Sequence, residues 1–274
     1  MRMRVRAVGA ALAAVLSAGC AGEVPIPESH EYSSEVDGVA VRWPTGWERR
    51  ERPIESLSHL EIVTLTTFKP PVVSNGPTPC ASGPESVFNS MTEGDALFVL
   101  RAVRHFVPER PPRPRPQTLF GSAEEKDWAR CEPEGVEGLW LPFEHQGQLY
   151  EAFAAARPVF SGARATEIEA IWKSLRLSPI RTGADRADIG RPYSHEISTH
   201  CGITGTAFAG REWTADPPLI QDEIGPPDGW DNPTELGTIV LESERAAVFT
   251  SRFGGRTARF RPWVANDPPL GMCE

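Results

Sequence analysis

The sequence predicts an α+β N-terminal domain, an antiparallel sheet with packing helices, followed by a small all-β C-terminal domain. Three observations lead to this fold class. Proline makes up 27 of the 274 residues, well above its average frequency of about 5%, and favours strands joined by stiff loops. Apolar residues at helical spacing are visible before residue 178. The second half shows short strands between turns and no helical period.

The first half supplies the expected sheet. Val39 to Trp43 alternates as a strand and runs into a turn at Pro44-Thr45-Gly46-Trp47. Leu60 to Phe68 is rich in β-branched residues, and Ala96 to Val103 is apolar apart from Arg101, which is typical of a buried strand. Pro84 to Glu93 is expected to form a short helix.

A hairpin and a helix close this half. Leu139 to Ala155 predicts a hairpin that turns at Gln146-Gly147. Ala163 to Leu175 places Ile168, Ile171, Trp172 and Leu175 on one face of a helix. We therefore expect this helix to pack on the sheet.

The second half reads as five antiparallel strands in a barrel or sandwich. Ile203 to Trp213 predicts a hairpin that turns at Ala209-Gly210. Three further strands are expected at Thr238 to Glu242, Ala246 to Arg252 and Arg256 to Trp263.

The N-terminus carries the most specific signal in the chain. Arg2, Arg4 and Arg6 precede a short apolar run, which ends in Leu16-Ser17-Ala18-Gly19-Cys20. This pattern is typical of a secretory signal with a lipobox, so Cys20 is expected to be lipidated on the extracytoplasmic face of the cell membrane. Leu16 lies one position earlier than the lipobox prefers, and ordinary cleavage after Ala21 is the alternative. The apolar run is too short to cross a bilayer, which needs about 20 residues.

These patterns divide the chain into five segments. Residues 1–20 are the signal peptide, and residues 21–35 are short on apolar side chains and predict a flexible tether. The α+β domain spans residues 36–178. A polar linker, residues 179–192, leads to the β domain at residues 193–274.

Cysteine usage agrees with export. Besides Cys20, two cysteines fall in each half, and the simplest pairing is Cys80–Cys131 and Cys201–Cys273. Each bridge would stabilise its domain by about 4 kcal/mol through loop closure. A zinc site is disfavoured because the chain has no C-x-x-C pair.

Composition excludes some classes of partner. Apolar residues make up 40% and charged residues 24% of the chain, as in ordinary globular proteins. The net charge is −9, and removal of the three leader arginines makes it more negative. Nucleic acid is therefore a poor partner, since its binding depends on neutralising phosphates.

Two local motifs resemble known types of protein. The turn from Trp43 to Trp47 and the helix end Lys173-Ser174-Leu175-Arg176-Leu177 resemble the PsbP-like fold of photosystem extrinsic proteins and of several actinobacterial lipoproteins. Gly229-Trp230-Asp231-Asn232-Pro233, with His200-Cys201-Gly202 upstream, looks like a small domain of uncharacterised actinobacterial secreted proteins. The resemblance implies an accessory or binding protein and carries over no catalytic residue.

Catalytic motifs are incomplete. His195-Glu196-Ile197-Ser198-Thr199-His200 approaches the zincin H-E-x-x-H, but the second histidine is one position late and falls on another helix face. No G-x-S-x-G elbow is present. A triad assembled from distant residues stays open because triads are spatial.

Two charged segments are candidates for binding. The acidic loop from Asp216 to Asp231 lacks the alternating pattern of a calcium loop and favours a solvated loop. The proline-rich segment Arg101 to Pro116 is a candidate contact for anionic lipid or envelope phosphates. A stiff loop with paired arginines is the alternative. Its basic residues are Arg101, Arg104, Arg110, Arg113 and Arg115.

Taken together, the sequence predicts a lipid-anchored cell-envelope protein that binds an envelope protein, a lipid or a small hydrophobic ligand, without cofactor or metal. Exposed tryptophans such as Trp43, Trp47 or Trp140 could line such a surface, although core or turn packing is their ordinary role. The alternative is a secreted hydrolase with a site assembled from scattered histidines and acidic residues.

Overall fold

The fold is dominated by β-structure. The computed structural model describes residues 29–50, 59–71, 85–103, 113–125, 135–220, 226–231, 234–252 and 254–267. Strands account for 51% of it and helices for 9%, and the strands form three sheets, a half-barrel among them. The two helices of this part are α1 (Glu85–Asn89) and α2 (Gly162–Ser174).

The α+β prediction for the N-terminal part is therefore wrong. The N-terminal part has a large sheet, and the layer opposite that sheet consists of α2 and a small second sheet. Side chains of the small sheet and of α2 pack into the same core. A sheet thus occupies part of the layer in which only helices were predicted. The segment from Pro84 to Glu93 forms only the five-residue helix α1.

The small sheet has three strands. Its order is β1 (Ser29–Ser34), β2 (Val39–Pro44) and β10 (Arg176–Leu177), all antiparallel. The polar stretch of β1 was expected within the tether. It forms a strand because an edge strand open to solvent needs no apolar face.

The large sheet of the N-terminal part has seven strands, and its longest strands are the predicted ones. The hairpin turns at Gln146 and Gly147, both with positive φ, as its sequence predicted. The strands, in sheet order, are β3 (Glu48–Arg49), β4 (His59–Thr66), β5 (Ala96–Val103), β9 (Gln148–Ala156), β8 (Glu137–His145) and β6 (Arg113–Pro114), and β7 (Glu124–Glu125) pairs with β8.

Helix α2 closes the N-terminal core, as its sequence predicted. The Ser161 hydroxyl caps it by accepting from the Arg164 amide. Ile168, Ile171 and Trp172 are fully buried against the sheets. Burial of these side chains is the main stabilisation of the helix, because a helix of 13 residues is marginal alone.

The C-terminal sheet has six strands, one more than predicted, because the His195 segment adds a strand. Its two end strands, β11 and β12, contact each other without sharing a ladder, and the gap between them is called the seam below. The order is β11 (Pro192–Ser198), β14 (Thr234–Ser243), β15 (Ala246–Ser251), β16 (Thr257–Pro262), β13 (Arg211–Leu219) and β12 (Ile203–Phe208).

Residues 179–191, called the strap, lie where the linker was predicted. The strap bonds to both sides: the Arg181 amide donates to Val36 O at 3.0 Å, and Arg181 O accepts from the Ser194 amide at 2.7 Å. Gly183 O then accepts from the Ala209 amide across the seam at 3.2 Å. The division into two domains stays a prediction.

Candidate functional site

The inner face of the C-terminal sheet carries a polar pair at the seam. Side chains alternate along a strand, so Tyr193, His195 and Ile197 of β11 face inward together. His195 Nε2 lies 2.7 Å from Thr206 Oγ1 of β12. This hydrogen bond joins the two end strands, and the rings of Tyr193 and Phe208 meet edge to face beside it at 5.6 Å.

The seam pair sits among aromatic rings. The His195 ring is 5.5 Å from Phe208 and 6.4 Å from Phe249. Thr206 is 8% exposed. The hydroxyl is therefore shielded from water, while the imidazole that it meets is half-buried.

His195 shares one row across the sheet with a glycine and a serine. His195, Gly237 and Ser251 are in register across β11, β14 and β15. A Cβ on Gly237 would lie 2.5 Å from Phe249 Cζ, so the Phe249 ring occupies the space over this glycine. The ring therefore lies over the residue that separates His195 from Ser251 in the register of the sheet.

Ser251 instead belongs to a buried carboxylate network. Its hydroxyl donates to Glu235 Oε1 at 2.5 Å, and the Asp231 amide donates to Glu235 Oε2 at 2.7 Å. Glu235 is 1% exposed. Burial raises the pKa of this carboxyl, and the two hydrogen bonds oppose the shift. The neighbouring Trp230 ring stacks on Phe249.

The near-zincin motif begins in a strand and ends in the loop after it. His195 and Glu196 are consecutive residues of β11 and point to opposite faces, while His200 is exposed in the loop after the strand. No group of three or more His, Cys, Asp or Glu side chains in the described ranges is placed to hold a metal ion. Asp222 and Glu223 of the acidic loop lie outside those ranges, and Asp216 and Asp228 are exposed.

The predicted basic segment is divided by the structure. Arg101 lies within β5 and is 4% exposed. Arg115 donates from Nη1 to Leu175 O at 2.7 Å and from Nη2 to Trp172 O at 2.5 Å, at the C-terminus of α2. Arg113 is exposed, and Arg104 and Arg110 lie outside the described residues. A shared contact of the five arginines with an anionic surface stays a prediction.

The remaining predicted residues fall partly outside the described ranges. Cys201 is disulfide-bonded, and the other cysteines, Cys20, Cys80, Cys131 and Cys273, lie outside those ranges. The proposed pairing and the lipidation of Cys20 stay predictions. Among the tryptophans considered for a binding surface, Trp43 and Trp47 are buried in the core and Trp140 is half-buried.

Sequence reasoning missed the contact that joins the two parts. The Arg252 guanidinium pairs with Asp37 and donates from Nη1 to Glu61 O at 3.0 Å. Asp37 is 3% exposed, and the Ser34 hydroxyl donates to its second oxygen at 2.9 Å. Leu236 of β14 packs into the N-terminal core beside this ion pair. Nothing local in the sequence indicates a pair separated by 215 positions.

Comparison with known proteins returned no match to a family model, a curated protein or a solved structure. Neither described helix is long and apolar enough to cross a membrane.

Proposed function

We propose that this protein is a lipid-anchored, extracytoplasmic binding protein of the cell envelope that carries out no catalysis. The observation that carries the proposal is the N-terminal sequence, in which three arginines, a short apolar run and small residues precede Cys20. Its partner is an envelope protein, a lipid or a small hydrophobic ligand. Lipidation at Cys20 holds the protein on the extracytoplasmic face of the cell membrane.

The positions of the histidines support binding over hydrolysis. The His145 Nε2 atom lies 3.2 Å from Leu177 O, and the His30 ring lies against Trp43. These contacts brace the fold. His195 is hydrogen-bonded to Thr206, and the Phe249 ring lies over Gly237, the residue between His195 and Ser251 in the register of the sheet.

The competing class is a hydrolase, and one contact favours it. Thr206 Oγ1 is within hydrogen-bond reach of His195 Nε2, the relation between a nucleophile and its general base. Against this reading, Thr206 is 8% exposed and the pair bridges two strands of the core. A substrate would need the seam to open.

Anchoring is tested by growing a lipidating bacterium with an alkyne fatty acid and separating membranes from the soluble fraction. We expect the wild-type chain to carry the label and sediment with membranes, and Cys20→Ala to lose both properties. Gly19→Ala keeps a small residue before the cysteine and is the matched control. Equal membrane partition of Cys20→Ala and wild type would overturn the anchor.

The absence of catalysis is tested with esterase and peptidase substrates. The purified wild-type chain is compared with His195→Ala and Thr206→Val, each checked for folding by circular dichroism. We expect no turnover from any of them. Turnover by the wild type that both folded variants lose would replace the binding role with hydrolysis.

Binding itself is tested by capture from an envelope extract, with the unfolded chain as control bait, and a null capture contradicts it.

A further inference from the structure

We infer that one end of the N-terminal part lies against the membrane, with the loop Arg157–Ser161 in contact with the bilayer surface, and that the C-terminal sheet is held at the opposite end. This inference rests on the lipid anchor proposed above. Beyond the anchor itself, it specifies which surface of the protein meets the lipid and which part of the protein faces away from the membrane.

The length of chain between the anchor and the fold sets the distance. Strand β1 begins at Ser29, nine positions after Cys20. A fully extended chain covers about 3.3–3.6 Å per residue, so Ser29 lies within about 30 Å of the lipidated residue in any conformation. Ser29 pairs with Pro44. The end of the small sheet that contains this pair, called the anchored end below, is therefore the end of the described fold that the chain joins most directly to the lipidated residue.

The direction of α2 places a second element at the anchored end. The Ser174 hydroxyl, at the end of the helix, donates to Arg42 O at 2.9 Å. Earlier in the helix, Glu167 accepts from Trp47 Nε1 at 2.9 Å. The helix therefore starts at the side of Pro44 and Trp47, and the loop before it lies at the anchored end as well.

Hydrogen bonds brace that loop. Arg164 Nε donates to Gly94 O at 2.8 Å, and the Gly94 amide donates to Arg157 O at 2.8 Å. The Phe160 ring packs edge to face on Phe120 at 5.1 Å. Between these fixed points Val159 is 57% exposed. A braced loop thus presents an apolar side chain at the end of the molecule nearest the lipid.

The opposite end carries the C-terminal sheet. The turn that holds Asp37 is separated from Pro44 by the length of β2, about 20 Å at about 3.3 Å per residue. At this turn Arg252 pairs with Asp37, and the strap bonds to Val36 O through the Arg181 amide. Ile189 of the strap bridges to Leu241, five positions along β14 from Leu236, the β14 residue packed in the N-terminal core. Ile189 is 60% exposed and so matches Val159 in exposure and chemistry while lying at the far end.

The test places a benzophenone amino acid at position 159 or at position 189 of the lipidated full-length chain. Each chain is bound to vesicles of phosphatidylglycerol and phosphatidylethanolamine, recovered by flotation, irradiated, and analysed by mass spectrometry for phospholipid adducts. We expect adducts at position 159, and at position 189 only the level of the unirradiated sample.

The two proposals fail differently in this experiment. A chain that floats with the vesicles but forms adducts equally at both positions, or only at position 189, keeps its anchor and overturns the orientation. A chain that floats without adducts at position 159 also overturns the contact. Failure to float, with Cys20 unmodified by mass, removes the anchor and the orientation with it.

Discussion

His195 of β11 and Thr206 of β12 form a hydrogen bond between Nε2 and Oγ1 at 2.7 Å, which joins the two end strands of the C-terminal sheet across the seam. The two strands share no ladder of backbone bonds. The side-chain pair therefore joins them directly, in addition to the backbone bonds that each side makes to the strap, and it is the most direct place to probe closure of this sheet.

Removal of the seam bond should destabilise the protein modestly. We expect Thr206→Val to lower the free energy of unfolding by about 1 kcal/mol, the typical net value of a hydrogen bond, with some excess because His195 then loses a buried partner. His195→Ala should cost more, since it also leaves a cavity. A double-mutant cycle in urea should give a coupling energy near 1 kcal/mol. Additive effects would show that the bond contributes nothing.

Gly183 of the strap should not tolerate a side chain. Its φ is +58°, and a Cβ would lie 2.6 Å from the Tyr193 ring and 2.9 Å from that of Phe208. We expect Gly183→Ala to cost about 2–5 kcal/mol through backbone strain and overpacking together. Gly190, with φ +78° and open space around it, is the matched control, and its alanine variant should cost only about 1 kcal/mol. Equal losses in thermal unfolding would contradict the close packing of the strap.

Arg115 should stabilise the end of α2. Its guanidinium donates to Trp172 O and Leu175 O and lies 4.5 Å from the centre of the Trp172 ring. Lysine offers a single ammonium in place of this planar fork. We expect Arg115→Lys to lower the free energy of unfolding by about 1–3 kcal/mol. Arg113→Lys, at an exposed position two residues away, should leave denaturant unfolding unchanged.

Asp267 should make stability depend on acid pH. The Arg261 guanidinium binds both of its carboxylate oxygens, at 2.6 and 2.7 Å, and Thr214 and the Val264 amide donate to it as well. The hydrogen bonds from Arg261 hold the pKa of Asp267 well below its usual range. The unfolded chain then binds more protons, so stability falls as pH drops below about 4. Asp267→Asn should flatten this decline in urea titrations, whereas Asn at the exposed Asp185 should leave it.

Glu235 should act with the opposite sign. Burial raises the pKa of this carboxyl, so the folded state binds more protons and its contribution weakens as pH rises above the ordinary value of 4.5. Glutamine keeps an oxygen to accept from the Asp231 amide and an amino group to face Ser251. The stability of the wild type relative to Glu235→Gln should therefore decrease from acid to neutral pH. A difference that stays constant with pH would contradict the assignment.

Local signals in the sequence predicted elements well and their assembly poorly. Ala96–Val103 was predicted to the residue because seven of its eight residues are apolar, and the turns at Gln146-Gly147 and Ala209-Gly210 carry residues with positive φ. The N-terminal fold class failed because β1 is polar and β10 has two residues, so neither shows the alternation that marks a strand. Together with β2 they form the small sheet that lies beside α2 in one layer.

The candidate site was less predictable. The alternation of Tyr193, His195 and Ile197 was a usable signal for a strand with an inward histidine. Its pairing with Thr206 could not be predicted, because the two end strands meet only when the whole sheet curls. The Arg252–Asp37 pair is set by tertiary packing between distant segments, which no local period encodes.

The pair of Asp37 and Arg252 also constrains how the chain matures. Asp37 is buried at the end of the small sheet, whereas Arg252, which directly follows strand β15, is synthesised 215 residues later. Until that strand arrives, the turn holds a carboxylate whose burial is unfavourable without its cation. The N-terminal part should therefore stay open to unfolding until Arg252 has been synthesised.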